Sequence, residues 1–300
     1  MNFFSLLPDK LGNFLHKFSQ KKKGSIYDKN HNVKFYRALN SFNFLNQNQK
    51  KFFSKKILEI GTGYCPTASI CFWIIGFKEV ITIDLEKKID NKSFDLLIDW
   101  IKSNKKDILK INGINQERLN LLINLNKKTL EEKVELLSHN GFHYKAPFKL
   151  PNQEFKLNYF DFIFTYDVLE HVPFEEILKL FQEFKLILSK SGYLIHRINY
   201  ADHFAKSDKN ISKINFLRFN KYFFNLIAGN KFMFMNRLRD CDFEKIFSDL
   251  NLEVVQKEQV RDSAIKELIV KKRIKLHKDF LDKNLNSLST LASTFVLKIK

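Results

Sequence analysis

Two short apolar strands, joined by a glycine turn and a helix, constrain the fold more than any other part of the chain. The first strand covers 57–60 and runs into a turn that contains Gly61 and Gly63, and a second apolar strand, at 80–83, ends on Asp84. Glycine has no Cβ, so both glycines let the backbone turn sharply and approach a ligand closely. The window predicts half of a nucleoside-binding α/β site, in which Asp84 accepts hydrogen bonds from two ribose hydroxyls.

The glycine turn also indicates which kind of nucleoside is bound. A dinucleotide fingerprint has a third glycine three residues after the second, and its helix N-terminus faces a pyrophosphate. Pro66 occupies that third place. Proline suits the first turn of a helix, and Gly76 is placed to cap the far end. The turn therefore departs from the dinucleotide fingerprint, which makes a nicotinamide-dependent oxidoreductase a poor alternative.

The spacing of Glu59, the two glycines and Asp84 resembles the cofactor site of class I methyltransferases, which use S-adenosylmethionine. The resemblance continues in a predicted fourth strand with its loop, a fifth strand and a closing antiparallel pair, at 160–173, 193–198, 252–255 and 294–299. It implies a Rossmann-like α/β fold with a seven-stranded, mostly parallel sheet and an antiparallel C-terminal strand pair. A helical N-terminal cap and helical insertions complete the expected fold.

The resemblance also implies a set of cofactor contacts at the carboxyl ends of strands. These are Glu59, Gly61, Thr62, Gly63, Asp84, Leu85 and Asp167. Glu59 is expected to hold the methionine amino end, directly or through water, and Leu85 to pack on adenine. The predicted third strand, at 143–148, lacks the acid that many methyltransferases place there for the adenine amine, so the adenine contact stays unassigned.

Two histidines are the candidate catalytic bases. If the acceptor is a hydroxyl, its proton must leave as the methyl group arrives, and histidine suits this task near neutral pH. His171 follows the fourth strand and His203 the fifth, where such sheets bind ligands. Asp202 or Asp167 could orient the imidazole. A packed polar residue without a chemical role remains the alternative for both histidines.

Asp167, Glu170 and His171 also carry the oxygen and nitrogen donors of a metal site. Some quinone-pathway O-methyltransferases have a Glu-x-x-Glu-His motif that this segment resembles. Aspartate replaces the first glutamate here, and we therefore expect no metal.

A closer resemblance is to uncharacterised methyltransferases found with bacterial surface-polysaccharide enzymes. Three segments carry it, at 167–172, 196–204 and 236–239. It implies that the acceptor is a hydroxyl of a sugar, glycan or other small molecule. Three irregularly spaced cysteines, Cys65, Cys71 and Cys241, fit a reducing compartment, and we expect a cytoplasmic protein.

The net charge of +18 supports two alternatives. One is an RNA or other nucleic-acid methyltransferase, and the other is a non-catalytic scaffold at a membrane surface. Base-amine enzymes usually place Asn or Asp before Pro-Pro-aromatic after the fourth strand, whereas this chain has 165–168 as Thr-Tyr-Asp-Val. Nucleic acid is therefore an unlikely partner. The scaffold has little support because the glycines, Glu59 and Asp84 are all present.

The chain is expected to form a single domain with insertions. Its parts are an N-terminal helical cap (1–50), two core segments (51–102 and 143–204), a helical insertion (103–142), a substrate-side insertion (205–240) and a C-terminal helix with a strand pair (241–300).

Three features of these parts carry their own expectations. Apolar residues recur at helical spacing from Phe4 to Phe18, which predicts a helix that covers the catalytic domain or contacts a membrane surface peripherally. Thr129 and Glu132 predict a capping box in the first insertion. Aromatic residues at 216–224 either join the core or stack on a sugar or base.

Overall fold

The computed structural model describes residues 30–46, 51–206, 208, 210–228 and 234–300. The helix expected from Phe4 to Phe18 lies outside these residues. The helices are α1 (His31–Asn40), α2 (Thr67–Ile74), α3 (Asn91–Ser103), α4 (Lys105–Ile108), α5 (Gln116–Asn124), α6 (Leu130–Ser138), α7 (Phe174–Ile187), α8 (Lys221–Ala228), α9 (Asp240–Asp249), α10 (Ser263–Val270) and α11 (Leu285–Ser289). The strands are β1 (Lys56–Ile60), β2 (Glu79–Ile83), β3 (Phe142–Lys145), β4 (Phe160–Tyr166), β5 (Leu188–Asn199), β6 (Leu252–Arg261) and β7 (Thr290–Ile299).

The strands form a seven-stranded sheet in the order β3-β2-β1-β4-β5-β7-β6. Strands β1, β2 and β3 are parallel, with Lys56 opposite Glu79 and Val80 opposite Phe142. Strands β6 and β7 are antiparallel, with Leu252 opposite Ile299. The predicted fold class is therefore confirmed.

Several element boundaries differ from the sequence prediction. Strand β3 ends at Lys145, ahead of Pro147, which has no N–H for a strand ladder. Strands β6 and β7 each contain ten residues and are longer than expected. Gly192 lies inside β5, although a glycine after an amphipathic helical pattern would normally indicate the end of that helix. A Cβ at Gly192 would lie 2.8 Å from the carbonyl oxygen of Asp161, so glycine permits a close backbone approach there.

The described chain forms two compact units, each with its own buried residues. The first comprises 30–46, 51–164 and 183–194, and the second 165–182, 195–206, 208, 210–228 and 234–300. The single-domain organisation inferred from the sequence stays a prediction.

A cluster of phenylalanine rings forms much of the core of the first unit. Phe52 and Phe77 stack with ring centroids 4.4 Å apart, and Phe42 contacts Phe52, Phe72 and Phe162 edge-on at 5.1–5.6 Å. Such aromatic pairs add to the stabilisation that burial of the rings supplies. All eight residues of α2 are buried, and six of them are apolar.

Four helices, α3 to α6, fill the segment between β2 and β3. The predicted capping box is confirmed, since the Thr129 hydroxyl accepts from the Glu132 N–H while the Glu132 carboxylate accepts from the Thr129 N–H. The ammonium group of the buried Lys133 lies 2.6 Å from Asp95 and from the Asn91 side chain, so it joins α6 to α3.

The second unit divides the aromatic residues at 216–224 between two environments. Phe216 and Phe224 pack in a buried cluster with Ile265 and Phe280, whereas Tyr222 is 82% exposed. The interpretation of these aromatic residues as core is thus correct for Phe216 and Phe224. None of the helices in the described ranges is long and apolar enough to cross a membrane.

We expect Phe77→Ala to lower the free energy of unfolding by about 3–5 kcal/mol, because it leaves a cavity beneath Phe52. Urea unfolding measures this change. Phe53→Ala is the matched control, since Phe53 is 74% exposed. Its effect should stay within about 0.5 kcal/mol. Equal losses in both variants would contradict the core position of Phe77.

Candidate active site

The turn after β1 contains two glycines in the left-handed region of backbone space, Gly61 with φ +83° and Gly63 with φ +71°. The N–H groups of Gly61 and Thr62 both donate to the carbonyl oxygen of Ile83, at 2.8 and 3.2 Å, which joins the turn to β2. Left-handed backbone is strained for residues with a side chain. A Cβ built on Gly63 would meet nothing within 4 Å, so the turn has open space beside it.

Asp84 directly follows β2 and is buried. Its Oδ2 accepts a hydrogen bond from the Gly63 N–H at 2.9 Å. Its Oδ1 accepts from the Glu86 N–H and from the Lys88 ammonium, both at 3.2 Å. A carboxylate has about four acceptor positions, so one remains available. Release of the Lys88 ammonium would free a second position.

Glu59 is fully buried on β1, and its Oε2 accepts from the Thr82 hydroxyl at 2.9 Å. The Thr62 and Thr82 hydroxyls are 2.6 Å apart, and because Thr82 donates to Glu59, Thr62 must donate to Thr82. The Thr62 side chain therefore faces the interior. Oε1 of Glu59 has no hydrogen-bond partner of good geometry among the residues that the structure describes. Burial raises the pKa of Glu59, and the positive charge of Lys34 and the hydroxyls of Ser69 and Thr82 only partly oppose this.

Helix α1 adds contacts to the glycine turn that the sequence did not reveal. The Lys34 ammonium donates to the carbonyl oxygens of Thr62 and Cys65, at 3.5 and 3.4 Å. Nδ1 of His31 lies 3.2 Å from the Thr67 hydroxyl. These contacts link residues about thirty positions apart in the chain, and no motif in the sequence marks them.

The residues of this first unit fit an adenosyl ligand. Glu59 offers a buried carboxylate oxygen without a partner, and Gly63 borders open space. Leu85, next to Asp84, is an apolar side chain that is 65% exposed. An unpartnered buried carboxylate matches an amino group, a carboxylate with spare acceptor positions matches a diol, and an exposed apolar side chain matches a flat base.

In the second unit, the loop after β4 begins with Asp167 in a left-handed conformation, at φ +55°. Its carboxylate forms an ion pair through Oδ1 with the Arg197 guanidinium, and its N–H donates to the Arg197 carbonyl at 2.9 Å. The Arg197 guanidinium lies 4.9 Å from the centre of the Tyr166 ring. Arg197 therefore fixes the position of Asp167, a contact that the sequence did not predict.

The same unit brings the two predicted histidines together. The ring centroids of His171 and His203 are 5.0 Å apart. Glu170 lies beside both histidines, and one donor atom from each of the three side chains lies within 4.8 Å of the others. From the sequence, Glu170 belongs to a possible metal motif and has no other predicted role. We call these three residues the Glu-His-His cluster.

The environment of the cluster changes the proton affinity of two members. Burial lowers the pKa of His203 to about 3, and the nearby charges of Lys206 and His171 act in the same direction. Burial raises the pKa of Glu170 well above its usual range, and the charge of Asp167 adds to the effect. Both shifts favour the uncharged forms of these side chains.

Hydrogen bonds to the backbone orient the cluster. The His171 Nδ1 lies 2.9 Å from the carbonyl oxygen of Phe234, which can only accept, so Nδ1 carries the hydrogen and Nε2 keeps its lone pair. Asp202 bonds neither imidazole within the described part of the chain. Its Oδ1 accepts from the Phe204 N–H at 2.8 Å and its Oδ2 from the Phe216 N–H at 2.9 Å. Asp202 thus shapes the turn that begins at His203.

Asn236 is a further residue whose role the sequence did not reveal. Its side-chain amide donates to the carbonyl oxygens of Leu169 and Val172, at 2.7 and 2.9 Å. Its own N–H donates to the Glu170 carbonyl at 2.9 Å. Asn236 therefore holds the turn that carries Glu170 and His171.

Comparison with known proteins identifies the family. Residues 9–257 match the family model described as a methyltransferase domain, so the chain belongs to that family. The predicted enzyme class and its cofactor, S-adenosylmethionine, are confirmed. No curated protein sequence matches the chain.

Solved structures are similar to this chain at low identity. An S-adenosylmethionine-dependent methyltransferase from Mesorhizobium loti is 12% identical, with a TM-score of 0.45, and the match covers 86% of this chain and 94% of that one. Geranyl diphosphate C-methyltransferase from Streptomyces coelicolor is 10% identical, with a TM-score of 0.49 and coverages of 90% and 80%. Magnesium protoporphyrin IX methyltransferase from Synechocystis is 12% identical, with a TM-score of 0.46 and coverages of 94% and 87%.

We expect Thr82→Val to lower the free energy of unfolding by about 1–3 kcal/mol, because the Glu59 carboxylate and the Thr62 hydroxyl then lose a buried partner. Urea unfolding at pH 7 measures this change. Thr82→Ser is the control, since it keeps the hydroxyl and should retain most of the stability. If both variants lost the same stability, packing of the methyl group would explain the effect and the hydrogen-bond chain would not.

Proposed function

We propose that this methyltransferase transfers the methyl group of S-adenosylmethionine to a hydroxyl of a sugar, glycan or other small molecule. The donor part of the proposal depends mainly on one observation, the buried Glu59 oxygen without a partner of good geometry. Glu59 lies on β1, which pairs with β2, and Asp84 directly follows β2. The hydroxyl acceptor is supported by the proximity of two imidazoles, His171 and His203.

The first unit supplies the residues for the donor. Asp84 would hold the ribose hydroxyls through its free acceptor position and the one now occupied by Lys88. The Glu59 carboxylate would bind the amino group of the methionine portion, and Leu85 would pack on adenine. The Thr62 side chain is turned inward, so only its backbone is available to the cofactor.

The cofactor contact expected of Asp167 stays a prediction, since Asp167 belongs to the second unit. Its Oδ1 is paired with Arg197, which leaves Oδ2 for the predicted cofactor contact. The ion pair would keep this oxygen in a fixed position. Asp167 is therefore proposed as a secondary contact.

S-adenosylmethionine, when bound, supplies an electrophilic methyl group. Methyl transfer from a sulfonium is an in-line displacement, so the protein mainly provides proximity and alignment. The acceptor hydroxyl must also lose its proton. The His171–His203 pair is proposed to receive the hydroxyl, and His171 to take the proton, because burial lowers the pKa of His203 to about 3 and makes it the weaker base. Asp202 acts as a positioning residue, since it holds the turn that begins at His203.

The acceptor class also takes support from the resemblance to methyltransferases found with surface-polysaccharide enzymes. Sugars and nucleotide sugars present secondary hydroxyls, which need a base as the methyl group arrives. RNA is the competing acceptor because of the net charge of +18. If RNA is the acceptor, its binding to the protein should weaken steeply as the salt concentration increases.

We expect Asp84→Asn to weaken binding of S-adenosylmethionine by about tenfold to a hundredfold, because the ribose hydroxyls lose a charged acceptor. Titration calorimetry on the full chain measures the affinity. Asp107→Asn is the control, since Asp107 is an exposed residue that pairs with Lys110. An unchanged affinity in Asp84→Asn would contradict the proposed donor site.

We expect a labelled-methyl screen of nucleotide sugars, glycans and RNA to find transfer to a sugar hydroxyl. His203→Phe should then lower turnover by about a hundredfold or more while the affinity for S-adenosylmethionine stays unchanged. His139→Gln, at an exposed position, serves as the control. Transfer to RNA alone would contradict the acceptor class, and full turnover in His203→Phe would exclude this histidine from the reaction.

A further inference from the structure

We propose that Glu170, His171 and His203 bind a divalent cation of the zinc type. The three residues come from the turn after β4 and the turn after β5, and both turns belong to the second unit. Each side chain offers one ligand atom, and these atoms lie within 4.8 Å of one another. The sequence predicts no metal, because Asp167 replaces the first glutamate of the Glu-x-x-Glu-His motif, and His203 lies outside that motif.

The carboxylate of Glu170 is the first argument for a cation. The side chain is only 2% exposed, and neither of its oxygens has a hydrogen-bond partner of good geometry among the described residues. Burial raises the pKa of Glu170. The backbone N–H groups of Glu170 and Asn199 and the charge of Arg197 offset this rise only in part. A carboxylate buried without a partner is unfavourable, and a bound cation would compensate it.

One ring nitrogen of each histidine lies within 4.8 Å of the other and of a Glu170 carboxylate oxygen. The hydrogen bond from His171 Nδ1–H to the Phe234 carbonyl fixes the tautomer with the lone pair on Nε2. Metal-binding histidines usually have this kind of outer hydrogen bond, which orients the ring and makes the other nitrogen a better ligand. Nε2 of the half-buried His203 has no hydrogen-bond partner within the described ranges.

The donor set favours zinc over magnesium or calcium. Two imidazole nitrogens and one carboxylate oxygen are the ligands of zinc sites that keep a coordination position open. Magnesium and calcium prefer ligand sets made of oxygen. Ligands about 2.0–2.2 Å from a tetrahedral zinc ion lie about 3.3–3.6 Å from one another. The side chains would therefore move together by roughly 1.5 Å at most as the ion binds, given their spacing of up to 4.8 Å.

Backbone clamps hold both turns in place for such a site. Asn236 bonds the carbonyl groups around Glu170 and His171, and Asp202 bonds the N–H groups that follow His203. Asp167 is not needed as a ligand because Arg197 already compensates its charge. The site therefore differs from the Glu-x-x-Glu-His motif, since the ligand from outside the segment is His203.

The role of the cation depends on the proposed function. Its open position would bind the acceptor hydroxyl oxygen and lower the pKa of that hydroxyl. Both imidazoles would then serve as ligands, so with the cation bound the proton would pass to solvent and not to His171 as it would without the cation. The binding of the cation itself can be tested without any acceptor.

The test uses the full chain, freed of metal by a chelator and titrated with ZnCl2, CoCl2 and MgCl2. We expect one zinc ion per chain, a visible absorption band from bound cobalt, and no measurable binding of magnesium. His203→Ala and Glu170→Gln should each weaken zinc binding by more than about tenfold and remove the cobalt band. His139→Ala, at an exposed histidine outside the cluster, should change neither.

Several results would overturn the site. They are zinc affinity unchanged in His203→Ala, a cobalt band unchanged in that variant, or magnesium binding as tight as zinc binding. Circular dichroism checks that each variant is folded. If Glu170→Gln does not fold, His203→Ala carries the test, since His203 is a half-buried loop residue.

Activity measurements separate this inference from the proposed function. Transfer to a sugar hydroxyl that stops with chelator and returns with zinc would support both. Transfer that is insensitive to chelator but lost in His203→Phe would retain the proposed function and overturn the role of the cation. Stoichiometric zinc binding without transfer to any sugar or glycan would support the metal site and overturn the proposed acceptor.

Discussion

The hydrogen bond from the Gly63 N–H to the Asp84 carboxylate is the contact on which the donor side of the site depends. It joins the turn after β1 to the end of β2, and the left-handed conformation of Gly63 presents its N–H group to the carboxylate. Asp84 therefore has two tasks, to hold the turn and to keep acceptor positions for a ligand. One carboxylate serves both because it has more acceptor positions than the turn uses.

The sequence predicted the glycine turn and the strands on either side of it because their signals are local. Glycine in a turn, an acid directly after an apolar strand and alternating strands and helices each depend on neighbours in the chain. Gly192 shows the limit of this reasoning. Glycine after a helix normally indicates a cap, but here it permits the approach of the Asp161 carbonyl, a contact between residues that are distant in sequence.

The Glu-His-His cluster was predicted less completely, because His203 is distant in sequence from Glu170 and His171. The positions of His171 and His203 after predicted strands indicated that both lie at strand ends. These positions did not indicate which side chains contact each other. Arg197 neutralises Asp167, and Asp202 bonds the backbone, so two acids that the sequence suggested as partners for imidazole are used elsewhere. Side-chain partners of this kind depend on geometry to within an ångström, which residue spacing alone does not provide.

Buried carboxylates fall into two groups, and the difference indicates where ligands bind. Asp202 has a partner on each oxygen and holds a turn, and Asp84 does the same while it keeps an acceptor position for a ligand. Glu59 keeps one oxygen without a partner of good geometry, and Glu170 keeps two.

Folding does not favour an uncompensated buried carboxylate, since desolvation costs free energy that packing alone does not return. Such a group is retained where another molecule or ion completes its contacts. An amino group on Glu59 and a cation on Glu170 would each provide the compensation that the protein lacks. By this reasoning the incomplete contacts at positions 59 and 170 are better indicators of function than either histidine by itself.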